Sequence, residues 1–178
     1  MSDPVTALGG ASFDGIATVR EIGPLGMITL RAQGLTGLDA AIRPAVGTDV
    51  PAQRRIEGAG DRACGWMSPD EYLLILPYDQ VAARLAGLAT ALAGQHHLAV
   101  DVSDARTVFR ITGAGADDAI RKLCPIDIDR LPVGELRRTR AAQVPCALWR
   151  EGGGITLVAF RSVGRYVFDI LANAARSG

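Results

Sequence analysis

The sequence has little of three features that often reveal a function: paired cysteines, excess charge of one sign and long apolar runs. Its three cysteines, Cys64, Cys124 and Cys146, are odd in number and never spaced as C-x-x-C. They therefore predict neither a disulfide framework nor a thiolate zinc site, and they fit a reducing cytoplasm. Nineteen basic residues balance nineteen acidic ones, so the chain lacks the positive field that attracts nucleic acid or anionic lipid.

Targeting segments are missing as well. The first residues, MSDPVTALGGASFDG, contain no basic start followed by an apolar core. No window approaches the roughly 20 apolar residues that are needed to span a bilayer. We therefore expect a soluble, cytoplasmic chain with a flexible N-terminal tail over residues 1–12.

What is present is a series of short strand and helix patterns. Two β-prone runs flank Gly23-Pro24-Leu25-Gly26, whose turn chemistry predicts a hairpin. The apolar run Leu73–Leu76 predicts a central strand that is covered on both faces. A stripe of apolar residues predicts a helix from Asp79 to Ala93, ended by Gly94, and its members are Val81, Leu85, Leu88 and Leu92.

The second half of the chain repeats the order of the first half. At an offset of 79 residues, TLRAQGLTGLDAAI aligns with VFRITGAGADDAIR, which matches Arg31 with Arg110 and Gly34 with Gly113. The predicted fold is α+β, with two similar ββαββα-like halves and mainly antiparallel sheets. We predict these halves at residues 13–96 and 97–178, within one compact unit.

Gly113 and Gly115 lie between a strand pattern and a helix pattern, where a phosphate-binding loop is possible. The dinucleotide fingerprint G-x-G-x-x-G fails because its third glycine position is Asp118, and no Gly-Lys-Ser/Thr follows. Asp117 and Asp118 would also place two carboxylates in the first turn of the helix, where they repel a second anion. The pattern therefore favours a structural corner.

Three other groups of polar residues have both a chemical and a structural interpretation. Ser103 lies near aspartates and the pair His96-His97, but it sits on no nucleophile elbow, so a turn is favoured over a hydrolytic triad. Adjacent histidines do not match the i, i+4 spacing of helical metal ligands, and exposed loop positions are expected. Ser68-Pro69-Asp70 fits turn chemistry and Glu71 is expected to open a strand facing solvent, which is favoured over a general acid/base pair of Asp70 and Glu71.

The segment ELRRTRAAQ contains Arg137, Arg138 and Arg140, and in an extended chain Arg138 and Arg140 share one face. One interpretation is a charged edge strand that is protected from stray pairing. The other is an electrostatic contact with an acidic partner subunit. Most aromatic residues should be core, and Trp149 is our candidate for an aromatic anchor at the same interface.

Four segments, taken together and in order, resemble the gamma subunits of heterotetrameric sarcosine oxidase. They are GWMSPDEYLLILP, VDVSDARTVFRITGAGADDAIRKLCPIDI, LPVGELRRTRAAQVPCALWRE and FRSVGRYVFDILANAA. The similarity runs from about Arg20 to Ala175. It implies a fold related to the aminomethyltransferase (glycine-cleavage T-protein) and folate-binding family.

The resemblance also implies partners and cofactors. In such complexes the alpha and beta subunits hold FAD, FMN, NAD and the tetrahydrofolate site, a small delta subunit binds zinc, and gamma packs on alpha. The assembled enzyme oxidises sarcosine to glycine, reduces oxygen to hydrogen peroxide and passes a one-carbon unit to tetrahydrofolate. No cofactor is expected in the gamma chain itself.

Folate chemistry in this chain is a separate possibility. The related aminomethyltransferases carry a functional Asp in a GG-x-x-DD stretch, whereas EGGGITLVAF, from Glu151 to Phe160, has the glycines and no Asp. Gly152–Gly154 are predicted to form a hairpin turn, and Asp127 in CPIDI is assigned no catalytic role. We expect a non-catalytic accessory subunit, with a stand-alone folate-binding protein as the alternative.

Overall fold

A computed structural model of the chain describes residues 4–59 and 61–176. Within these residues the chain forms eleven β-strands and four α-helices. The strands are β1 (Ser12–Asp14), β2 (Thr18–Ile22), β3 (Gly26–Arg31), β4 (Ile56–Ala59), β5 (Arg62–Ser68), β6 (Glu71–Leu76), β7 (Leu98–Asp101), β8 (Arg106–Thr112), β9 (Leu136–Ala141), β10 (Val144–Glu151) and β11 (Gly154–Phe160). The helices are α1 (Leu38–Val46), α2 (Val81–Ala91), α3 (Ala116–Leu123) and α4 (Gly164–Ala174).

The chain divides into two compact units. The first unit comprises the chain up to Pro24 and again from Asp104, and the second comprises Leu25–Ser103. The first contains a six-stranded sheet in the order β1-β2-β8-β11-β10-β9, and the second a five-stranded sheet in the order β4-β5-β6-β3-β7. Every pairing between these strands is antiparallel, which confirms the predicted α+β class.

The internal repeat is present, with one more strand in each copy than predicted. The order β2-β3-α1-β4-β5-β6-α2 is followed by β7-β8-α3-β9-β10-β11-α4. The first strand of each copy pairs with the second strand of the other copy: β2 lies beside β8, and β7 lies beside β3. The two copies have therefore exchanged their first strands.

This exchange accounts for two differences from the sequence predictions. β2 and β3 do not form a hairpin, because Gly23 and Pro24 lead the chain out of one sheet and into the other. The predicted halves at 13–96 and 97–178 coincide with the two copies of the repeat. They do not coincide with the two compact units, because β2 and β7 each pair with a strand of the other copy. Turn residues can indicate where a chain reverses, but they do not determine which strand it pairs with next.

Within the first unit, Glu21 on β2 binds the segment that precedes β1. The predicted flexible tail, residues 1–12, lies partly outside the described residues, and its described part is held by hydrogen bonds. Glu21 is 2% exposed, and its carboxylate accepts hydrogen bonds from the backbone amides of Leu8 and Gly10 at 2.9–3.1 Å. It also accepts one from the Thr107 hydroxyl at 3.1 Å. Burial alone would raise the pKa of Glu21, but these hydrogen bonds and one from Thr6 hold it below its usual 4.5.

The core of the first unit lies between one face of its sheet and helices α3 and α4. The sheet contributes alternate residues from neighbouring strands, among them Val19, Phe109 and Leu157. The Phe109 and Phe168 rings are tilted, with centroids 6.2 Å apart. Lys122 on α3 donates a hydrogen bond to the Ala174 carbonyl at the end of α4, where the helix dipole favours a cation.

The core of the second unit confirms the predicted central strand and helix. β6 is the middle strand of its sheet, and Leu73–Leu76 are all buried. The apolar stripe on α2 faces this core, with Val81, Leu88 and Leu92 buried and Leu85 partly buried. Gly94 has φ 76°, the left-handed conformation expected at the helix end.

Helix α1 continues further than the sequence indicates. From Arg43 the sequence is rich in proline, glycine and charge and has no helical periodicity, which favours a loop. In the structure, α1 runs through Pro44 to Val46 and ends at Gly47, whose φ is 80°. Proline removes one hydrogen bond from a helix interior. Burial of Ala45 and Val46 in the core offsets that loss, and local propensity does not reveal such a tertiary contribution.

The sharp corner between β8 and α3 is confirmed. Gly113 has φ 97°, and the Gly115 amide donates to the Ile16 carbonyl at 3.0 Å. A Cβ atom on Gly115 would lie 2.6 Å from the same carbonyl oxygen. The Ala116 amide is also occupied, because it bonds to the Gly113 carbonyl. Glycine at position 115 therefore permits the close approach of the Ile16 backbone, in the segment between β1 and β2.

We predict opposite effects for alanine at two glycines. Gly115→Ala should lower the free energy of unfolding by about 1–3 kcal/mol, because backbone atoms must move away from the new methyl group. Gly87→Ala is the matched control: it lies inside α2 with open space around it and should raise stability by about 0.5–1 kcal/mol. Urea denaturation measures both. Equal effects of the two substitutions would contradict the close approach at Gly115.

A second prediction concerns Glu21. Glu21→Gln replaces an acceptor of several amide bonds with a group that also presents donors, so we expect a loss of about 1.5–3 kcal/mol near pH 7. Because the folded pKa is depressed, the stabilisation exists above the usual value and disappears as the pH falls through the folded pKa. The difference between wild type and variant should therefore shrink with acidification below pH 4.5.

The control for this measurement is Glu57→Gln. Glu57 is exposed and pairs with Arg55 at 3.5 Å, so its replacement should change stability by less than about 1 kcal/mol. Denaturation at a series of pH values supplies the comparison. A Glu21→Gln variant as stable as wild type near neutral pH would show that the N-terminal segment is not held in this way.

Candidate interaction surface

Strand β9 forms an open edge of the six-stranded sheet. Among the strands in the described part of the chain, β10 is its partner, and the turn between them is Ala142 and Gln143. In a hairpin with a two-residue turn, the two residues that flank the turn hydrogen bond to each other. Along each strand, every second residue from that pair then bonds to the partner strand, and the residues between them point their backbone groups outward. With Ala141 opposite Val144, the backbone groups of Leu136, Arg138 and Arg140 therefore face the open edge.

Two of the three arginine side chains of β9 are exposed, as is typical of an edge strand that is protected by charge. Arg138 and Arg140 are both exposed and lie on the same face, as predicted. Arg137 points to the other face, where its Nε donates to the Glu135 carboxylate at 2.6 Å. The open edge thus combines the outward side of a strand backbone with two exposed arginine side chains.

Trp149 lies on the neighbouring strand, β10, and is buried. It sits on β10 in register with Leu136 of β9 and Thr156 of β11. The side chain is 3% exposed, and its Nε1 donor has no hydrogen-bond partner among the described residues. The sequence offers Trp149 as a candidate aromatic anchor, but sequence alone does not show that the residue is buried.

The predicted glycine turn joins β10 to β11. Gly152 and Gly153 have φ 45° and 75°, and Glu151 pairs with Gly154, which gives a two-residue hairpin. Arg110 donates to the Glu151 carboxylate at 3.1 Å and to the Thr156 hydroxyl at 2.8 Å. It also donates to the Gly152 carbonyl. Glu151, the acidic residue beside the turn, therefore stabilises the hairpin through its bond to Arg110.

Ser103 is held in a local turn, in agreement with the structural interpretation. Its Oγ accepts a hydrogen bond from the Met27 amide at 2.9 Å and donates one to Asp101 Oδ1 at 2.5 Å. Asp101 Oδ1 also accepts from the Ser103 amide. Both histidines belong to the described residues, and neither is bonded to Ser103. The arrangement stabilises the turn and supplies no general base.

The remaining polar candidates also have structural partners. His96 is exposed, and His97 Nδ1 hydrogen bonds to the Gln95 carbonyl at 2.9 Å. Asp70 accepts from the Ser68 hydroxyl at 2.7 Å, and both Asp70 and Glu71 form ion pairs with Arg31. The histidines are predicted at loop positions, Asp70 in a turn and Glu71 at the start of a strand, and the structure agrees: Glu71 is the first residue of β6.

Asp117 and Asp118 lie in the first turn of α3, as predicted. Asp117 forms an ion pair with Arg150 at 3.0 Å, and Asp118 pairs with Arg121 one turn further along the helix. Two carboxylates at this helix end disfavour a bound anion there. Asp127, to which no catalytic role was assigned, forms an exposed ion pair with Arg130.

All three cysteines are free and buried. Burial raises the pKa of Cys64 to about 12. Within the ranges that the structure describes, no three His, Cys, Asp or Glu side chains are grouped so that they could hold a metal ion. None of the helices described here is long and apolar enough to cross a membrane.

A groove in the second unit was not anticipated from the sequence. It has a volume of ≈ 680 Å³ and is lined mainly by residues 46–52, together with Glu57, Gly58 and Arg62. Arg62 is fixed there by hydrogen bonds to the Ala45 carbonyl and the Gln80 side chain. The sequence shows this stretch only as an aperiodic loop rich in proline and glycine, so no sequence signal predicts the groove.

Comparisons with known proteins identify the family. A model described as the sarcosine oxidase, gamma subunit family matches residues 33–177. The chain is similar to sarcosine oxidase subunit gamma from an Arthrobacter species, with 34% identity over 151 residues that cover 82% of this chain and 73% of the relative. Subunit gamma from Corynebacterium sp. strain P-1 is 33% identical over 153 residues, with the same coverage.

Solved structures agree with this family. A chain of the heterotetrameric sarcosine oxidase from Corynebacterium sp. U-96 matches with a TM-score of 0.82 and 28% identity, covering 92% of this chain and 87% of that chain. The glycine cleavage system aminomethyltransferase T from Bartonella henselae has a TM-score of 0.65 at 13% identity, covering 88% of this chain and 45% of that chain. The second likeness shows the fold alone, and it agrees with the predicted aminomethyltransferase-like architecture. Because the family model spans most of the chain and both curated relatives match across 82% of it, the chain belongs to the sarcosine oxidase gamma subunit family.

Proposed function

We propose that this chain is the gamma subunit of a heterotetrameric sarcosine oxidase and serves it as a non-catalytic accessory subunit. The observation that carries the proposal is the match to a chain of the solved heterotetrameric enzyme, which extends over 92% of this chain. A likeness of this extent supports assembly into the same kind of complex. The proposed location is the cytoplasm, where the three buried thiols would stay reduced.

In the proposed complex the chemistry belongs to the other subunits. Alpha and beta would hold FAD, FMN, NAD and tetrahydrofolate, and delta would hold zinc. The complex would oxidise sarcosine to glycine, reduce oxygen to hydrogen peroxide and pass the one-carbon unit to tetrahydrofolate. This chain would hold none of these cofactors.

The contacts of its polar residues support a structural role for this chain. A catalytic acid, base or nucleophile must face a substrate-sized space with its reactive atom available. Ser103 is bonded to Asp101 and Met27, and Glu151 is bonded to Arg110. The stretch after β10 also lacks the aspartate of the folate-dependent relatives. The alternative of a stand-alone folate-binding protein has only fold likeness to support it.

We propose that the β9 edge meets an acidic, extended segment of the alpha subunit. An exposed edge can accept another strand through its backbone groups, and side chains of alternate residues then select the partner. Arg138 and Arg140 would supply the charge that attracts carboxylates. Arg137 would contribute from the opposite face of β9. Trp149 is buried in the neighbouring strand and would stabilise β9 without contacting the partner.

The proposed function predicts a clear difference between the isolated and the assembled chain. Purified alone, the chain should be colourless and release no hydrogen peroxide from sarcosine. Coexpressed with alpha, beta and delta chains of the family, it should co-purify in a yellow, active complex. Absorption spectra, a peroxide assay and tagged purification supply the measurements.

Two results would overturn this function. The first is sarcosine-dependent peroxide release by the chain alone. The second is a complete flavin-containing complex that forms without binding this chain. A calorimetric titration of the isolated chain with tetrahydrofolate is the companion test, and a saturable heat would favour the folate-binding alternative.

The proposed surface predicts a sign-dependent effect of charge at β9. The double change Arg138→Glu and Arg140→Glu keeps the edge charged, so protection from stray pairing is preserved. Attraction to an acidic partner would become repulsion, and we expect at least a tenfold loss of affinity, about 1.4 kcal/mol or more. Surface plasmon resonance against the alpha chain measures the affinity.

The matched control is Arg165→Glu on α4, an exposed arginine that pairs with Asp169 one turn along the helix. It makes the same type of charge change on a helix and not on the β9 edge, and it should leave the affinity unchanged. Wild-type binding should also weaken with added salt. If the β9 double variant binds as tightly as wild type while wild type still joins the complex, the surface is wrong and the function stands.

A further inference from the structure

Strand β7 lies at one end of the five-stranded sheet, and its outer side is open. Among the strands in the described part of the chain, β3 is its neighbour. Directly after the last β3–β7 pair, the Val102 amide donates to the Met27 carbonyl at 2.8 Å. Hydrogen-bonded pairs alternate along an antiparallel ladder. The backbone groups of Ala99 and Asp101 therefore point outward, away from β3.

The side chains of β7 leave this edge without the charge that usually protects an open strand. Leu98 and Val100 lie on one face of the strand and are 55% and 41% exposed. The strand contains no lysine, arginine or proline. Its one charged residue is Asp101, whose carboxylate accepts hydrogen bonds from the hydroxyl and the amide of Ser103. An apolar edge of this kind favours pairing with another strand.

The internal repeat gives β7 a structural counterpart in the other copy, since β2 and β7 are the first strands of the two copies. Arg20 of β2 lies opposite Arg110. Leu98 of β7 lies opposite Arg31, the residue that the repeat matches with Arg110. Arg20 and Leu98 therefore hold equivalent positions, and the residues that follow them are equivalent as well.

The outer side of β2 is covered by β1. The Glu21 amide donates to the Ala11 carbonyl at 2.8 Å, and Phe13 of β1 pairs with Val19. Ala99 is the equivalent of Glu21, because each directly follows the residue that lies opposite the matched arginine. No strand in the described part of the chain lies beside the Ala99 amide. The second copy therefore lacks the covering strand that the first copy has.

We propose that the outer side of β7 binds an extended, uncharged segment of another subunit, which adds to the sheet as an antiparallel strand in the manner of β1. The segment would accept a hydrogen bond from the Ala99 amide. It would carry apolar side chains at two alternate positions, beside Leu98 and Val100, because apolar cross-strand pairs stabilise a sheet.

The length of β7 argues for another subunit and against a second copy of this chain. Two β7 strands paired with each other would join four residues on each side. Such a contact buries far less than the roughly 800 Å² per partner of a stable interface. A subunit that already binds elsewhere on the chain holds its segment at a high local concentration, so a short strand suffices. For this partner the inference rests on the proposed function.

The first experiment is hydrogen exchange of wild type, alone and in the complex coexpressed with alpha, beta and delta chains. The Ala99 amide should be more strongly protected in the complex, because the added strand would bond to it. The inference is overturned if exchange at Ala99 is the same in both states. It is also overturned, in favour of a second copy, if the isolated chain gains this protection as its concentration rises.

The second experiment is competition between variant and wild-type chains for the same complex, purified through a tagged partner and analysed by intact mass. Ala99→Pro removes the outward donor and no bond to β3, a change that edge strands tolerate. We expect at least about tenfold less of this variant than of wild type in the complex. Ala99→Ser keeps the amide and is the matched control, so it should compete equally.

A double change, Leu98→Lys and Val100→Lys, tests the apolar side chains on an unaltered backbone. Charge beside an apolar segment should also lower incorporation by about tenfold or more. Equal incorporation of this variant, of Ala99→Pro and of wild type would overturn the inference and leave the proposed function standing. Exchange at Ala99 in wild type decides the matter even if Ala99→Pro fails to fold. A wild-type chain that never joins the complex would overturn the proposed function and this partner with it.

Discussion

The pairing of β2 with β8 is the contact on which the first unit depends. It joins residues 18–22 to residues 108–112, which are far apart in sequence, and it places the N-terminal strands beside the repeat that forms the rest of that sheet. Glu21 on β2 then anchors the preceding segment, and Gly115 allows the Ile16 backbone to approach the start of α3. β1 and β2 lie at one end of the sheet, next to β8, and β9 lies at the other end. The proposed partner surface follows from that order of strands.

The polar residues that attract attention in the sequence mostly have structural partners. Arg110 holds the glycine hairpin through Glu151, and Ser103 and Asp101 form the turn after β7. Asp117 faces Arg150 at the start of α3. A carboxylate or hydroxyl that is already bonded in this way stabilises the fold and offers little to a substrate. The exposed arginines of β9 lie on an open edge, a position where charge also protects the strand against stray pairing.

The parts of the fold that the sequence predicts are those determined by local pattern. The apolar run of β6, the stripe on α2 and the acidic first turn of α3 are each set by the spacing of a few neighbouring residues. The corner at Gly113 and Gly115 was predictable for the same reason. Resemblance to the gamma subunits added the family and the fold, because several ordered motifs together are far more specific than any one of them.

The parts that the sequence does not predict depend on distant residues. Gly23 and Pro24 signal a reversal, but only the three-dimensional pairing shows that β2 and β3 belong to different sheets. Burial of Ala45 and Val46 carries α1 through Pro44, and burial hides Trp149, which pattern alone would place at an interface.

The central claim is that the chain works by docking through the β9 edge. Hydrogen exchange of the backbone amides of β9, in the isolated chain and in the assembled complex, tests it most directly. The outward-facing amides of Leu136 and Arg140 should become more strongly protected in the complex than in the isolated chain, because a partner strand would bond to them. Unchanged exchange at these amides in a fully assembled complex would contradict the account.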